Sequence, residues 1–464
     1  MKTKNIFSAL FSGMILLSSC ESILEVDPAN SVASKDAIKD RNSAIAALRG
    51  MYSSLQADGY YGQYMVVWPD LAADNLEHTG TFSTNNELDA NHLLATNTTI
   101  AGIWGSIYNS VSRANYILKY VPQLRDVTES EKADMKGQAY FVRALGYSNL
   151  VKMFGAVPII LDPVTSVTDI KKPSRSPKEE VYAQILKDLD SALSNLPVPS
   201  TDEGNMVPIV NGMAGYYSAM ALKARVSLFM EDYASAMACA DSVINSQLFG
   251  LAGSYAEIFN PSSPYSPESI FELDFTSQDA NSLAFWFFYD DFGGRYEYAP
   301  TAELITALEE GEDDDRLWVN TYHYVDTAYG IDLYMGTKYV DIAAGSDNVI
   351  ILRLAEMYLI RAEASLHGIS YADPVDDAAI YDINSIRNRA GAKPYPNDHN
   401  VTLDDILKER RLEFAFEGHR WFDLVRTGKV QDFVPTVTSQ NQWLWPVPQR
   451  ERDVNSNLDQ NTGY

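Results

Sequence analysis

The sequence predicts a mostly α-helical protein: a scaffold of tetratricopeptide-like helical hairpins, with long irregular insertions and minor short strands. Three observations predict it. Several segments repeat apolar residues at helical spacing between start and stop signals. One stretch, Ala219 to Ile244, reads as a tight helical hairpin. Two long regions, about 59–101 and 248–344, lack this periodicity and are rich in aromatic and polar residues.

The chain begins with a short basic stretch, Lys2 and Lys4, followed by apolar Ile6 to Leu17, which is too short to span a bilayer stably. Leu17-Ser18-Ser19-Cys20 then reads as a bacterial lipobox, so residues 1–19 are expected to be removed and Cys20 to carry lipid. Residues 20–464 are expected to form one domain, with an N-terminal half to about 247 and a C-terminal half from about 248. No later stretch is long and apolar enough for a transmembrane helix. With Cys20 lipidated, Cys239 has no disulfide partner, and among Ala236, Met237, Ala238 and Ala240 it reads as a small buried apolar residue.

Helix signals follow along the chain. Ser176-Pro177-Lys178-Glu179 reads as a capping box with proline in the first turn. Val181, Ile185, Leu189, Leu193 and Leu196 then share one face until Pro197. In the hairpin 219–244, Glu231-Asp232-Tyr233 supplies the turn, and Ala224 and Ala236 fall where two helices touch most closely. Comparable hairpins pair Met135–Val151 with Val181–Leu196, and Arg353–Leu366 with Ala378–Arg389. A further long helix is expected from about Thr402 through Ile406 and Phe414 to Gly428. Ile270 to Asp274 suggests a short strand that pairs locally rather than in a large sheet.

Composition narrows function. The formal net charge is -26, and removing the leader leaves 34 basic against 62 acidic residues, or -28. A surface this negative repels phosphate backbones and argues against nucleic-acid binding. The six histidines are scattered, without zinc-ligand spacing. The acidic run from Glu309 to Asp315 lacks the alternating ligands of an EF-hand loop and reads as a solvated turn. No cofactor or metal motif stands out. Glu409, Glu413 and Glu417 lie at helical spacing, but Arg410, Arg411, Arg420 and Arg426 among them suggest charge-paired structure rather than the two carboxylates a glycosidase sets across a cleft.

Many short motifs, in order, resemble the SusD/RagB family. They include Trp104, Arg113-Ala114-Asn115, Phe141 to Leu145 and Phe154-Gly155-Ala156-Val157-Pro158. Next come Arg353-Leu354-Ala355-Glu356, Arg361 to Ala364 and Asn384 to Gly391. The densest runs are Glu409 to Glu413 with Phe416 to Leu424, then Trp445-Pro446-Val447-Pro448 and Gln460 to Tyr464. The resemblance covers essentially the whole mature chain. It implies a helical scaffold whose irregular insertions hold a glycan, displayed on the outer membrane beside a SusC-like TonB-dependent transporter. Two readings from other classes stand beside it: a tetratricopeptide scaffold that binds only protein, and a surface glycoside hydrolase.

A sugar site needs exposed aromatic faces for the C–H patches of the rings, and amides, carboxylates or guanidinium groups for hydroxyls. The first irregular region offers Tyr60, Tyr61, Tyr64, Trp68, Asp70, Asn75, His78 and Phe82. The second offers Trp286, Tyr289, Arg295, Tyr296 and Tyr322. Trp68, Trp286 and Tyr296 are the expected stacking residues, with Asn75 and Arg295 as polar partners. Trp104 and Trp421 are read as core. The expected ligand is a neutral glycan.

Overall fold

The computed structural model describes residues 37–165, 171–199, 212–311, 314–369 and 378–464. The leader, Cys20 and residues 312–313 of the acidic run lie outside these. Helix α1 (Arg41–Leu55) opens on a capping box between Asp40 and Ser43. After it come α2 (Tyr64–Leu71), strand β1 (Leu76–His78), α3 (Ser83–Asp89) and α4 (Thr98–Tyr120). A second capping box, Thr128 with Glu131, starts α5 (Glu129–Phe154). Then follow α6 (Lys178–Asn195), α7 (Tyr216–Phe229) and α8 (Tyr233–Ile244).

The hairpin α7–α8 is as the sequence predicts. Glu231 turns the chain in the left-handed region at φ +61°. Ala224 and Ala236 are fully buried, which lets the two helices close on each other. The elements that follow are β2 (Ser269–Leu273), α9 (Leu283–Phe287), β3 (Tyr298–Pro300), β4 (Thr321–Asp326), β5 (Ile331–Gly336) and β6 (Val349–Arg353). The chain continues with α10 (Leu354–Leu366), α11 (Ala378–Arg389), α12 (Leu403–Glu413) and α13 (Arg420–Arg426). Successive contacts α4 to α5, α5 to α6, α6 to α7, α7 to α8, α8 to α10 and α10 to α11 make a continuous stack of helices. Among the described residues the strands form three two-stranded antiparallel pairs, β1–β3, β2–β6 and β4–β5.

Three expectations need correction. Helix α6 has no capping box: Pro177 occupies the N-cap, and Ser176 instead exchanges backbone hydrogen bonds with Val157. The helix expected from Thr402 to Gly428 is broken, with α12 ending at Glu413 and α13 starting at Arg420. Between them Phe416 and Gly418 take φ values of +64° and +78°. A Cβ on Gly418 would stand 2.0 Å from the Met65 carbonyl, so only glycine lets this turn press against α2. The two irregular regions also hold short helices, α2 and α3 in the first, and Tyr255–Ile258, α9, Ala302–Glu309 and Asp315–Asn320 in the second.

The carboxylates at helical spacing sit in a buried ion-pair network. Arg316, fully buried, pairs with Asp314 at 2.7 Å, Glu409 at 2.6 Å and Glu413 at 3.3 Å. Glu413 also binds Arg353 and Arg389, while Glu417 takes Arg353 at 2.9 Å and Lys338 at 2.8 Å. Burial alone would raise the Glu413 carboxyl, but Arg389, Arg353 and Arg316 outweigh it and hold it far below the usual range. Arg410 and Arg426 meet Asp423 at 2.8 and 2.9 Å, and Arg426 also grips Glu363. These carboxylates are charge-paired structure. Trp104 and Trp421 are core, 3% and 1% exposed.

Candidate functional site

Strands β1 and β3 join the two aromatic-rich regions. Leu76 pairs with Pro300, Glu77 with Ala299 and His78 with Tyr298. Beyond the ladder, the Thr79 N–H donates to the Glu297 carbonyl at 3.1 Å and the Thr79 hydroxyl donates to the Tyr296 carbonyl. This pairing carries Phe82, on the one side, against Trp286 and Arg295 on the other.

The segment 285–297 folds back on itself. The Arg295 N–H donates to the Phe285 carbonyl at 2.8 Å, Glu297 to Trp286 at 2.8 Å and Tyr296 to Phe288 at 2.9 Å. Gly293 turns the chain at φ +86°. A Cβ on Gly294 would lie 2.1 Å from the Phe288 carbonyl, so the return is too tight for any other residue. The fold-back sets its aromatic rings side by side.

At one end, Phe82 meets the edge of Trp286 with centroids 5.6 Å apart. The Arg295 guanidinium lies 4.6 Å from the Phe82 centroid and 5.7 Å from that of Trp286. Phe285 packs edge-on against Trp286 at 4.7 Å. Phe82 and Phe285 are 39% and 36% exposed, enough to offer ring surface to a ligand. At the other end Tyr289 contacts Tyr296 at 5.8 Å and Tyr324 at 6.0 Å. Phe292 contacts Tyr324 at 5.1 Å and Tyr322 at 6.1 Å. Together these rings make an aromatic platform.

Polar groups fix the platform from behind. Arg295 Nε donates to Glu297 Oε1 at 3.0 Å, and Glu297, 1% exposed, is also 3.1 Å from His78 Nε2. A Cβ on Gly80 would collide with the Glu297 carboxylate at 2.1–2.5 Å, so glycine there gives this carboxylate its room. Tyr296 donates its hydroxyl to the Tyr334 carbonyl at 2.9 Å, and burial pushes that phenol up to about 12. Tyr324 donates to Asp291 at 2.7 Å. The Trp286 indole N–H is buried with no acceptor among the described residues. The arrangement presents ring faces and edges around one guanidinium whose charge is already answered by Glu297.

The sequence-predicted residues divide between this surface and the interior. Phe82, Trp286, Tyr289, Arg295 and Tyr296 come together on the platform, with exposed Tyr322 at its end. His78 lies beneath it, buried against Glu297. Trp68 does not belong there. It is wholly buried, with its ring edge-on to Tyr64 and Trp445 and its N–H donating to Asn85 Oδ1 at 3.2 Å. Asn75, 1% exposed, donates to Asp70 at 2.6 Å and accepts from Arg411 at 2.9 Å, so it ties α2 to α12 and has no face for a ligand. Tyr60, Tyr61 and Asp70 are likewise interior. Phe285, Phe292, Tyr324 and Glu297 were missed. The aromatic run 285–289 was the available signal for the first, whereas Tyr324 and Glu297 join the site only through strand pairing.

Comparison with known proteins agrees with this architecture. A family model described as the SusD family matches residues 265–442, and one described as starch-binding, associating with the outer membrane, matches residues 24–228. The chain belongs to the SusD/RagB family. The SusD-like protein P38 of Formosa agariphila is 28% identical over 505 residues, covering 97% of this chain and 96% of that protein. The starch-binding protein SusD of Bacteroides thetaiotaomicron is 31% identical over 134 residues, 25% of this chain and 22% of its own length. Among solved structures, a laminarin-binding SusD-like protein shares the SusD fold at a TM-score of 0.77 and 24% identity, covering 92% of this chain and all of that one.

Proposed function

We propose that this SusD-family protein captures a neutral glycan on the aromatic platform at the cell surface and does not cleave it. The observation that carries the reading is the cluster of Phe82, Phe285 and Trp286 around Arg295, extended by Tyr289, Phe292, Tyr296, Tyr322 and Tyr324. Flat aromatic rings suit the C–H faces of sugars, and the guanidinium and phenols suit hydroxyls. A relative named for starch binding and a structural neighbour named for laminarin binding support the same ligand class. Neutrality follows from charge: Arg295 is paired with Glu297, and the chain without its leader carries -28. The protein is held to the outer membrane by lipid on Cys20, faces the exterior, and hands its glycan to a SusC-like TonB-dependent transporter. A glycan array tests the reading. Binding to neutral polysaccharides that emerge uncleaved from long incubation supports it, whereas shortened products favour a hydrolase. Binding to no glycan favours a protein scaffold.

A further inference from the structure

Apart from the platform, a cavity of about 330 Å³ opens among three segments distant in sequence, 258–265, 272–277 and 338–350. Its volume falls within the range of small-ligand pockets, roughly 300–1,000 Å³. We propose that this cavity is a second carbohydrate site, which takes a single neutral sugar ring independently of the platform.

The walls are fixed in advance by buried carboxylates. Glu272, 2% exposed, accepts the Tyr265 backbone N–H at 3.0 Å and the Asn348 side-chain N–H at 2.8 Å. Tyr265 is thereby held at φ +62°, a left-handed backbone conformation that is strained for an aromatic residue and concentrates at functional sites. Asp347 accepts the N–H groups of Val340 and Asp341, both at 2.7 Å, and so pins the opposite wall. With these groups spent on the frame, what faces the opening is different. Phe259 and Tyr265 supply ring surface, the Tyr265 hydroxyl is held between Asp274 and Asn348, and exposed Ser277 with the outer oxygen of exposed Asp274 supply hydrogen-bonding groups.

Charge and size select the ligand class. The lysine in the wall, Lys338, gives its charge to Glu417 at 2.8 Å and sits 4.4 Å from the Phe259 ring centroid. Against it stand Glu272, Asp274 and Asp347, so an anionic ligand meets net repulsion. A lipid finds no dry enclosure among so many polar groups. A neutral polyol with one flat face satisfies ring and carboxylate together.

Ligand-observed saturation-transfer NMR on the mature protein tests this, with the methyl glycosides of glucose, galactose, mannose, xylose and N-acetylglucosamine as probes. Asp274 and Ser277 are exposed, so Asp274→Ala and Ser277→Trp leave the core intact, and thermal unfolding checks it. The platform takes the same ligand class, so the spectra are read in a Trp286→Ala background. Transfer to at least one glycoside is expected there, weakened at least about tenfold when Ser277→Trp, which fills the cavity, or Asp274→Ala is added. Absence of transfer to all five glycosides in that background overturns the proposal, as does a signal that survives the added Ser277→Trp. Failure of the platform reading alone would leave the Ser277→Trp result unchanged.

Discussion

Trp68 and Trp286 show how far residue type carries. Both are tryptophans in aromatic-rich stretches, yet one is core and the other lies against Arg295 on the platform. The difference was partly legible: Tyr64 and Trp68 stand one helical turn apart in an apolar run, as core pairs do. Glu413 is legible as charge-paired structure because its arginine neighbours are visible in sequence. Removing it as Glu413→Ala takes one carboxylate from each of Arg316, Arg353 and Arg389 and leaves them Glu409, Glu417 and Glu268, and should cost roughly 3–5 kcal/mol in denaturant unfolding. Glycan affinity of the folded protein should not change. Asp70 titrates in the opposite sense. Burial pushes its carboxyl up to about 7, against hydrogen bonds from Asn75 and the Gly418 N–H that favour the anion. A raised folded-state pKa contributes stability that is present below the unfolded value of 3.8 and lost as pH rises through about 7. Asp70→Asn should therefore gain on the wild type in urea midpoint between about pH 4 and pH 8, and a difference flat with pH would refute this assignment.

Helical elements were legible because their signals are local. The stop at Pro197 that ends α6, and the small residues Ala224 and Ala236 that let α7 and α8 close, each act within a few turns of chain. Ala236→Leu should overpack that contact and lower stability by roughly 1–3 kcal/mol in thermal or denaturant unfolding, without altering glycan affinity. Cys239, on the same helix, is 8% exposed, and burial pushes its thiol up to about 11, so it should resist alkylating reagents until the protein unfolds. The break between α12 and α13 was not legible. Its cause is the approach of Gly418 to the Met65 carbonyl, across more than three hundred residues of sequence. The platform was half legible for the same reason. Trp286, Tyr289, Arg295 and Tyr296 fall within one fold-back, whereas Phe82 and Tyr324 reach it only through β1–β3 and β4–β5.

At the scale of the whole molecule, the helical stack is the frame and the paired segments display the rings. The proposed placing of that display at the cell surface rests on lipid at Cys20. Cys20→Ala should release the protein from membranes, since no helix among the described residues is long and apolar enough to cross one. Retention of the variant in membranes after high-salt, detergent-free washing would contradict the anchor. Affinity purification from native membranes under mild detergent should recover a barrel transporter with it. The central claim is capture of glycan by the platform, and calorimetry tests it most directly. With a polysaccharide that the wild type binds, single alanine variants at Phe82, Trp286 and Tyr296 should each lose roughly 1–3 kcal/mol, by analogy with aromatic stacking on nucleic-acid bases. Unfolding temperatures should stay near the wild-type value for exposed Phe82 in particular. Unchanged affinity in all three well-folded variants would contradict the account and place the glycan elsewhere on the molecule.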